Sequence, residues 1–258
     1  MMSAIKAAAA RLHDAQVSHR PCAPVRDLIG TDDIATAYEV QETLTRQRLA
    51  IGARLAGRKI GLTSAAVQRQ LGVDQPDFGM LFADMEVPDG ERVPSGRLIQ
   101  PRAEAEVAFM LGRDLLSEAP SWTDVIRAID FAVCAIEIVD SRITGWDIRI
   151  TDTVADNASS GLYVLGNNAR RIDELELGIC GMVARTNDQV VSLGVGAACL
   201  GHPLRAVQWL ANVMAKRGRP LKAGDVVLSG ALGPMTPLSA GDHYHVEIQH
   251  LGTVGIFL

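Results

Sequence analysis

Acidic residues interrupt the two segments of this chain that most resemble buried β-strands. In PRAEAEVAF, Glu104 and Glu106 are two residues apart, and in AVCAIEIVD, Glu137 has apolar neighbours on both sides. Both segments are apolar and partly β-branched, which predicts strands. Since successive side chains of a strand alternate between its two faces, Glu104 and Glu106 point to the same face.

Burial of a charged carboxylate in an apolar strand costs free energy unless a partner neutralises the charge. If the two strands are neighbours, the three glutamates form one site, and their oxygen ligands favour Mg²⁺, Mn²⁺ or Ca²⁺ over Zn²⁺. Two alternatives stay open from these residues alone. The glutamate pair could lie on a solvent-facing strand edge, and Glu137 could form a structural ion pair with Arg102 or Arg142.

Two further segments carry polar residues that are candidates for a catalytic or ligand-binding site. Lys59 lies between glycines in GRKIGLTS, where burial would lower its pKa and give it acid–base capacity; the alternative is a lysine at the surface. The stretch DTVADNASSG, which contains Ser159, predicts either a turn that binds a small polar ligand or a turn without one. His202, directly before a predicted helix, is expected to cap or pack against that helix.

The remaining pattern predicts a helical N-terminal part and a strand-rich body. Residues 1–56 have helical spacing, with Asp33 among the N-cap candidates. A short helix is predicted in AAVQRQLG, and a long loop in GVDQPDFGMLFADM, which is rich in Gly, Asp and Pro. Strands dominate from about residue 93, and HPLRAVQWLANVMAKRG predicts a helix that begins at Pro203.

These elements predict an α+β fold in which a helical N-terminal lobe (residues 1–60) packs on a mixed, mainly antiparallel β-sheet body (residues 61–258), as one continuous domain. The formal charge of −5 gives no general attraction to nucleic acid or anionic lipid. No apolar run is long enough to span a membrane, and the cysteines lack paired spacing, so a reducing cytoplasm is expected.

Seven motifs resemble, in order and spacing, those of the 2-keto-4-pentenoate hydratases, in the hydratase/decarboxylase branch of the fumarylacetoacetate hydrolase superfamily. The resemblance covers the chain from about Pro24 to its end. The motifs are GRKIGLTS, GVDQPDFGMLFADM, QPRAEAEVAFMLGRDL, AIEIVDSRI, DTVADNASSGLYVLG, LGHPLRAVQWLA and LSGALGPM.

The resemblance implies site residues, a cofactor and an assembly. Glu104, Glu106 and Glu137 match the metal ligands of the family, and three other residues match positions associated with its active site. Those three are Lys59, Asp77 and Ser159. The family also implies Mg²⁺ or Mn²⁺, a strongly bent mixed sheet, and homo-oligomers, often pentamers or decamers.

The implied reaction is the hydration of 2-hydroxypenta-2,4-dienoate to 4-hydroxy-2-oxopentanoate, in the meta-cleavage degradation of aromatic compounds. Lys59 would stabilise charge on the C2 oxygen, Asp77 would handle the water or a proton, and Ser159 would orient the small dienoate substrate. The alternatives are a 2-oxohept-4-ene-1,7-dioate hydratase, a 4-oxalocrotonate decarboxylase, or a partner subunit of that decarboxylase. Asp77 and the GALGPM stretch argue against the decarboxylase, and the absence of a histidine near Lys59 or Asp77 argues against a C–C hydrolase.

Overall fold

Helices and two β-sheets make up the structure, a computed structural model that describes residues 2–64, 68–69 and 73–258. The helices are α1 (Met2–Ser18), α2 (Arg26–Ile29), α3 (Ile34–Ala50), α4 (Trp122–Ala128), α5 (Ile150–Ala155) and α6 (Pro203–Lys216). The strands are β1 (Leu55–Gly61), β2 (Asp77–Phe82), β3 (Pro101–Leu111), β4 (Ile129–Asp140), β5 (Ser160–Leu165), β6 (Gly181–Thr186), β7 (Gln189–Val195), β8 (Val226–Leu228), β9 (Thr236–Pro237), β10 (His243–Ile248) and β11 (Gly252–Phe257). This content confirms the α+β class.

The large sheet is mixed, as predicted. Its strand order is β2-β1-β8-β3-β4-β5, and β9 pairs with the other end of β3. The pairing of β1 with β8 is parallel, and the other pairings described in this sheet are antiparallel. The central strands β3 and β4 are therefore covered on both edges, and this is where the two acid-bearing segments lie.

The second sheet has the antiparallel order β11-β10-β6-β7. Its buried face joins the main hydrophobic core through side chains such as Tyr244, Val246 and Ile256. Helix α6 contributes Leu204, Val207 and other residues of one face to the same core, as its helical spacing predicts. The two sheets and α6 thus enclose one core.

The three N-terminal helices have a smaller core of their own. It contains Leu12 of α1, Ile29 of α2 and Val40 of α3, together with Val154 of α5. Helix α3 begins where the sequence predicts, because the Asp33 carboxylate accepts a hydrogen bond from the Thr36 amide at 2.9 Å. The helical prediction for this part of the chain is confirmed.

The boundary predicted between residues 60 and 61 falls inside β1. This strand pairs with β2 and β8 of the large sheet along most of its length, so the sheet takes up residues from Leu55 onwards. The division into two lobes stays a prediction. The short helix predicted in AAVQRQLG falls largely outside the described residues.

One predicted loop is a strand. Residues Asp77–Phe82 form β2, and all six are buried against β1 and the turn that follows α5. Gly79, which favours a loop in the sequence, is instead required by close packing, since a Cβ atom there would be 2.3 Å from the backbone oxygen of Asn157. The loop prediction is wrong for this stretch because long-range packing outweighs the local preference of Gly and Asp for turns.

Two helix starts have side-chain caps, and the first of them agrees with the sequence prediction. His202 precedes α6 and its Nδ1 accepts a hydrogen bond from the Leu204 amide at 3.1 Å, so it caps the helix. Ser121 and Asp124 form the capping box of α4. In the described part of the chain, the helices are too short or too polar to cross a membrane.

Candidate active site

Strand pairing brings the three predicted glutamates together. Glu104 of β3 lies directly opposite Glu137 of β4, and Glu106 follows two residues later on the same face of β3. One oxygen of each carboxylate lies within 4.8 Å of the others. Because Glu106 and Glu137 are each 0 % exposed, the solvent-facing alternative for this face is wrong.

Lys59 is the charged partner of Glu137. Its Nζ lies 2.9 Å from Glu137 Oε2, and both side chains are buried. The two arginines considered from the sequence have other partners. Arg142 pairs with Asp156 at 2.5 Å, and the guanidinium of Arg102 lies 4.3 Å from the centre of an indole ring. The alternative of an arginine partner for Glu137 is therefore wrong.

The pKa of Lys59 moves opposite to the prediction. Burial by itself disfavours the ammonium form, but Glu137, Asp77 and the two other glutamates outweigh it and raise the pKa above its ordinary value. The charged ammonium form of Lys59 is consequently favoured at neutral pH, so the predicted lowering of its pKa is wrong. Its acid–base capacity stays a prediction.

Burial raises the pKa of all three glutamates. For Glu104 the pKa rises to about 7, with Glu137 adding to the effect of burial. The pKa values of Glu106 and Glu137 are also raised, mainly by burial. Without a further cation, the protonated form of each carboxyl group is therefore more favoured here than it is in water.

Several carboxylate oxygens of this group have no hydrogen-bond donor in the described part of the chain. They are Oε1 of Glu106 and both oxygens of Glu137, of which Oε2 has only the ion-pair contact with Lys59. Oε2 of Glu106 does have a donor, the backbone N–H of Gly230 at 2.7 Å, a contact that the sequence did not indicate. Buried, unpaired carboxylate oxygens within 4.8 Å of each other suit a hard divalent cation, so this group can bind one.

Asp77 lies beside Lys59 because β2 pairs with β1. Asp77 is opposite Gly61, where a Cβ atom would be 2.2 Å from Asp77 Oδ1, so only glycine leaves room for this carboxylate. Burial raises the pKa of Asp77 to about 6, and the charge of Lys59 opposes the rise. We call the set Lys59, Asp77, Glu104, Glu106 and Glu137 the acidic centre.

A strained turn carries Ser159 to the same site. Asn157, Ala158 and Ser159 have φ values of 56°, 52° and 53°, a left-handed conformation that is unfavourable for residues other than glycine. The Asn157 amide holds this turn against β2 by hydrogen bonds with the N–H (2.7 Å) and C=O (3.0 Å) of Met80. Ser159 Oγ lies 3.2 Å from Thr153 Oγ1.

The acidic residues of DTVADNASSG have structural partners. Asp152 accepts hydrogen bonds from the amides of Val25 and Arg26 and pairs with the Arg26 guanidinium, which ties α5 to α2. Asp156 pairs with Arg142. Of this stretch, Thr153, Ala158 and Ser159 line a cavity.

That cavity has a volume of about 560 Å³. The predicted catalytic residues Lys59, Asp77 and Ser159 line it, together with Glu104. The remaining wall is largely apolar, and its larger side chains are Leu62, Val139, Trp146, Ile148, Leu193, Val195, Leu232 and Met235. Arg149 also lines the cavity and has an exposed side chain. The arrangement fits a small organic acid with one charged end and one apolar end.

Comparison with known proteins gives concordant results. The family model for the fumarylacetoacetate (FAA) hydrolase C-terminal domain matches residues 56–256. The chain is 59 % identical to 2-keto-4-pentenoate hydratase 2 of Dechloromonas aromatica, over 96 % of this chain and 95 % of that protein. It is 58 % identical to the TodF product hydratase of Pseudomonas putida, over 97 % and 94 %.

Among solved structures, the chain is similar to 4-oxalocrotonate decarboxylase from Pseudomonas putida G7 complexed with magnesium and adipate. The TM-score is 0.95 and the identity 35 %, over 100 % of this chain and 98 % of that one. The fold is therefore shared with a decarboxylase, while the greater sequence identity is with hydratases. From the family model and these full-length relatives, the chain belongs to the fumarylacetoacetate hydrolase family, within the branch that includes the 2-keto-4-pentenoate hydratases.

Proposed function

We propose that this chain is a hydro-lyase that adds water to 2-hydroxypenta-2,4-dienoate and forms 4-hydroxy-2-oxopentanoate, in the degradation of aromatic compounds. The observation that carries the proposal is the acidic centre, which contributes Lys59, Asp77 and Glu104 to the wall of an otherwise largely apolar cavity. Its relatives with 58–59 % identity carry hydratase names, which supports hydration over the other reactions of the branch.

Glu104, Glu106 and Glu137 are the residues that would hold a divalent cation, Mg²⁺ or Mn²⁺. Two observations support this assignment. Glu106 and Glu137 have buried, unpaired oxygens, and one oxygen from each of the three glutamates lies within 4.8 Å of the others. A cation bound there would supply Lewis-acid chemistry and a template for the carboxylate and C2 oxygen of the substrate.

Lys59 stabilises negative charge on the C2 oxygen during the reaction. Its raised pKa keeps it charged, and its burial strengthens the interaction relative to a lysine in water. The dienol first loses the proton of its C2 hydroxyl group and gains a proton at C5, which gives the 2-oxo acid. Water then adds at C4 and gives up a proton, and a proton goes to C3. Lys59 favours both steps, because each develops charge on the same oxygen.

Asp77 is our candidate for the proton transfers. A pKa of about 6 lies close enough to neutral pH for a carboxyl group both to accept and to return a proton. Oδ1 of Asp77 has no hydrogen-bond donor among the described residues, so it is free to receive the proton of the water that adds at C4. Ser159, supported by Thr153, would orient the substrate.

The apolar wall of the cavity favours a substrate without a second carboxylate. A second candidate, hydration of 2-oxohept-4-ene-1,7-dioate, is supported by one observation, the exposed Arg149 side chain that lines the cavity. The proposal predicts a higher kcat/KM for the pentadienoate than for the diacid, and Arg149→Leu should not lower the rate with the pentadienoate.

The direct test follows the ultraviolet absorbance of freshly generated 2-hydroxypenta-2,4-dienoate in the presence of Mg²⁺, Mn²⁺ or a chelator. Metal-dependent loss of absorbance with formation of 4-hydroxy-2-oxopentanoate is expected. Release of CO₂ from 4-oxalocrotonate, without hydration of the dienoate, would contradict the proposal and indicate the decarboxylase.

We further propose a homo-oligomer, a pentamer or decamer, in the reducing cytoplasm, with association with the decarboxylase as an additional possibility to test. Strand β7 supports the oligomer, because it is an edge strand with four substantially exposed apolar side chains. These are Val190, Val191, Leu193 and Val195. Light scattering after size-exclusion chromatography measures the subunit number, and a monomeric mass would contradict the proposal.

A further inference from the structure

The hydroxyl group of Ser160 is a buried polar group to which the proposed mechanism gives no role. Ser160 is the first residue of β5 and is 4 % exposed. Its Oγ makes no hydrogen bond of ordinary geometry within the described part of the chain. Buried hydroxyl groups are almost always paired in folded proteins, so this one requires an explanation.

A β-bulge turns Ser160 towards the acidic centre. In the pairing of β4 with β5, Ile138 lies opposite Leu162 and Val139 opposite Ser160, so Gly161 is the extra residue. Without the bulge, Gly161 would be opposite Val139 and the Ser160 side chain would point to the other face. Ser160 instead shares a face with Val139, and Glu137 is two residues from Val139 on that same face.

The glycine at the bulge is required by the packing. A Cβ atom on Gly161 would be 2.7 Å from the backbone oxygen of Ile138 and 2.8 Å from Cβ of Asp140. Bulges of this kind occur next to active sites, where they redirect a side chain. Gly161 therefore permits the bulge, and the bulge sets the orientation of the Ser160 side chain.

The backbone of Ser160 is fixed by Arg142. Nη1 of Arg142 donates a hydrogen bond to the Ser160 carbonyl oxygen at 2.8 Å, and Nε of Arg142 is paired with Asp156 at 2.5 Å. All of these groups are buried. With its carbonyl held on one side, Ser160 has its hydroxyl available for the carboxylates on the other.

The neighbours of Glu137 agree with this orientation. Lys59, Glu106 and Ser160 are side chains placed to hydrogen-bond with its carboxyl group. The Ser160 hydroxyl can donate a hydrogen bond to a carboxylate oxygen, as the ammonium group of Lys59 does.

We propose that Ser160 is a positioning residue whose hydroxyl donates a hydrogen bond to Glu137 and holds that carboxylate for a divalent cation. The inference rests on the proposed function, because it assumes that Glu137 is a ligand. Groups that orient metal ligands in this way typically change metal affinity by about 10–100-fold when they are removed.

The test measures binding of Mn²⁺ alone to the full chain at pH 8, without substrate, from the electron paramagnetic resonance signal of free Mn²⁺. Ser160→Ala should raise the Kd by about 10–100-fold, while its circular dichroism and thermal unfolding in chelator stay close to those of the wild type. Ser160→Thr, which keeps a hydroxyl, should bind Mn²⁺ more tightly than Ser160→Ala.

The neighbouring hydroxyl is the matched control. Ser159→Ala lies one residue away and should lower turnover but leave the Kd for Mn²⁺ unchanged. An unchanged Kd in Ser160→Ala overturns the role of Ser160 and leaves the proposed function intact. Equal weakening of Mn²⁺ binding in Ser159→Ala and Ser160→Ala would attribute the effect to the turn that contains both residues. That result would also overturn the role of Ser160. Failure of the wild type to bind Mn²⁺ overturns the cation site itself and this inference with it.

Discussion

Two groups of buried charges lie on either side of the start of β5, and they differ in how completely they are paired. The first is the acidic centre, with one lysine for four carboxyl groups and several oxygens without a donor. The second, the Arg142 cluster, consists of Arg142, Asp140 and Asp156. Its charged atoms all have partners among the described residues, including backbone groups.

The Arg142 cluster illustrates a structural use of buried charge. Arg142 donates to Asp156, to the carbonyl of Asp140 and to the carbonyl of Ser160, while the Asp140 carboxylate accepts from the amides of Ile99 and Gln100. No further ligand is needed, because each donor meets an acceptor. The acidic centre lacks this balance, and a bound cation would neutralise its excess negative charge. Both groups are buried, so the difference between the acidic centre and the Arg142 cluster lies in how completely their charges are paired.

The largest effect is expected from Glu106→Gln, which removes a proposed ligand and keeps the side-chain volume. If the Lewis-acid contribution is about 4 kcal/mol, kcat/KM falls by about 10³-fold. The metal-free variant should be at least as stable as the wild type, because a buried carboxyl with a raised pKa is replaced by a neutral amide. Steady-state kinetics and urea unfolding in chelator measure the two quantities. Full activity would remove Glu106 from the ligand set.

Arg142→Met, unlike Glu106→Gln, should lower the free energy of unfolding. It leaves Asp156 buried without its partner, and such losses cost about 3–5 kcal/mol in the free energy of unfolding. Urea unfolding in chelator provides the measurement. Arg170→Met is the control, since Arg170 forms an exposed ion pair with Glu174 and should change stability by less than about 1 kcal/mol. Equal effects of the two substitutions would contradict the distinction between the clusters.

Addition of Mg²⁺ should stabilise the wild type through the acidic centre alone. At a free concentration of 100 times the Kd, a ligand that binds only the folded state adds about 2.7 kcal/mol. For a chain of this length, that corresponds to an increase in Tm of about 5–10 °C. Arg170→Met, the exposed control, should retain the increase and Glu106→Gln should lose it. Differential scanning fluorimetry with and without Mg²⁺ measures each case, and an equal increase in Glu106→Gln would refute the assignment.

The smallest effect concerns pH. The pKa of Glu104 is raised from 4.5 to about 7, so the metal-free folded state binds more protons than the unfolded state between these values. Its stability should consequently fall as pH rises from about 4.5 to 7. Mg²⁺ competes with the same protons, and its affinity should weaken by up to about tenfold per unit as pH falls below 7. Calorimetric titrations at pH 6, 7 and 8 test this, and an affinity independent of pH would contradict it.

Much of the fold follows from local patterns. The capping residue Asp33 and the helical spacing of α6 each depend on contacts within a few residues, and the structure contains both elements. Strand β2 could not be predicted in this way. Its glycine and aspartate favour a loop locally, whereas its burial depends on β1 and on the Asn157 turn, which are far away in the sequence.

The sequence by itself determined the chemical types in the site and the shared face of Glu104 and Glu106, because strand geometry fixes side-chain direction over two residues. Only the tertiary structure decided which charges meet: Lys59 rather than an arginine reaches Glu137, and Arg142 reaches Asp156. It also decided the direction of the Lys59 pKa shift, since that depends on a sum over four carboxylates brought together from three strands. Electrostatic interactions act through space, and their strength is defined only once the chain has folded.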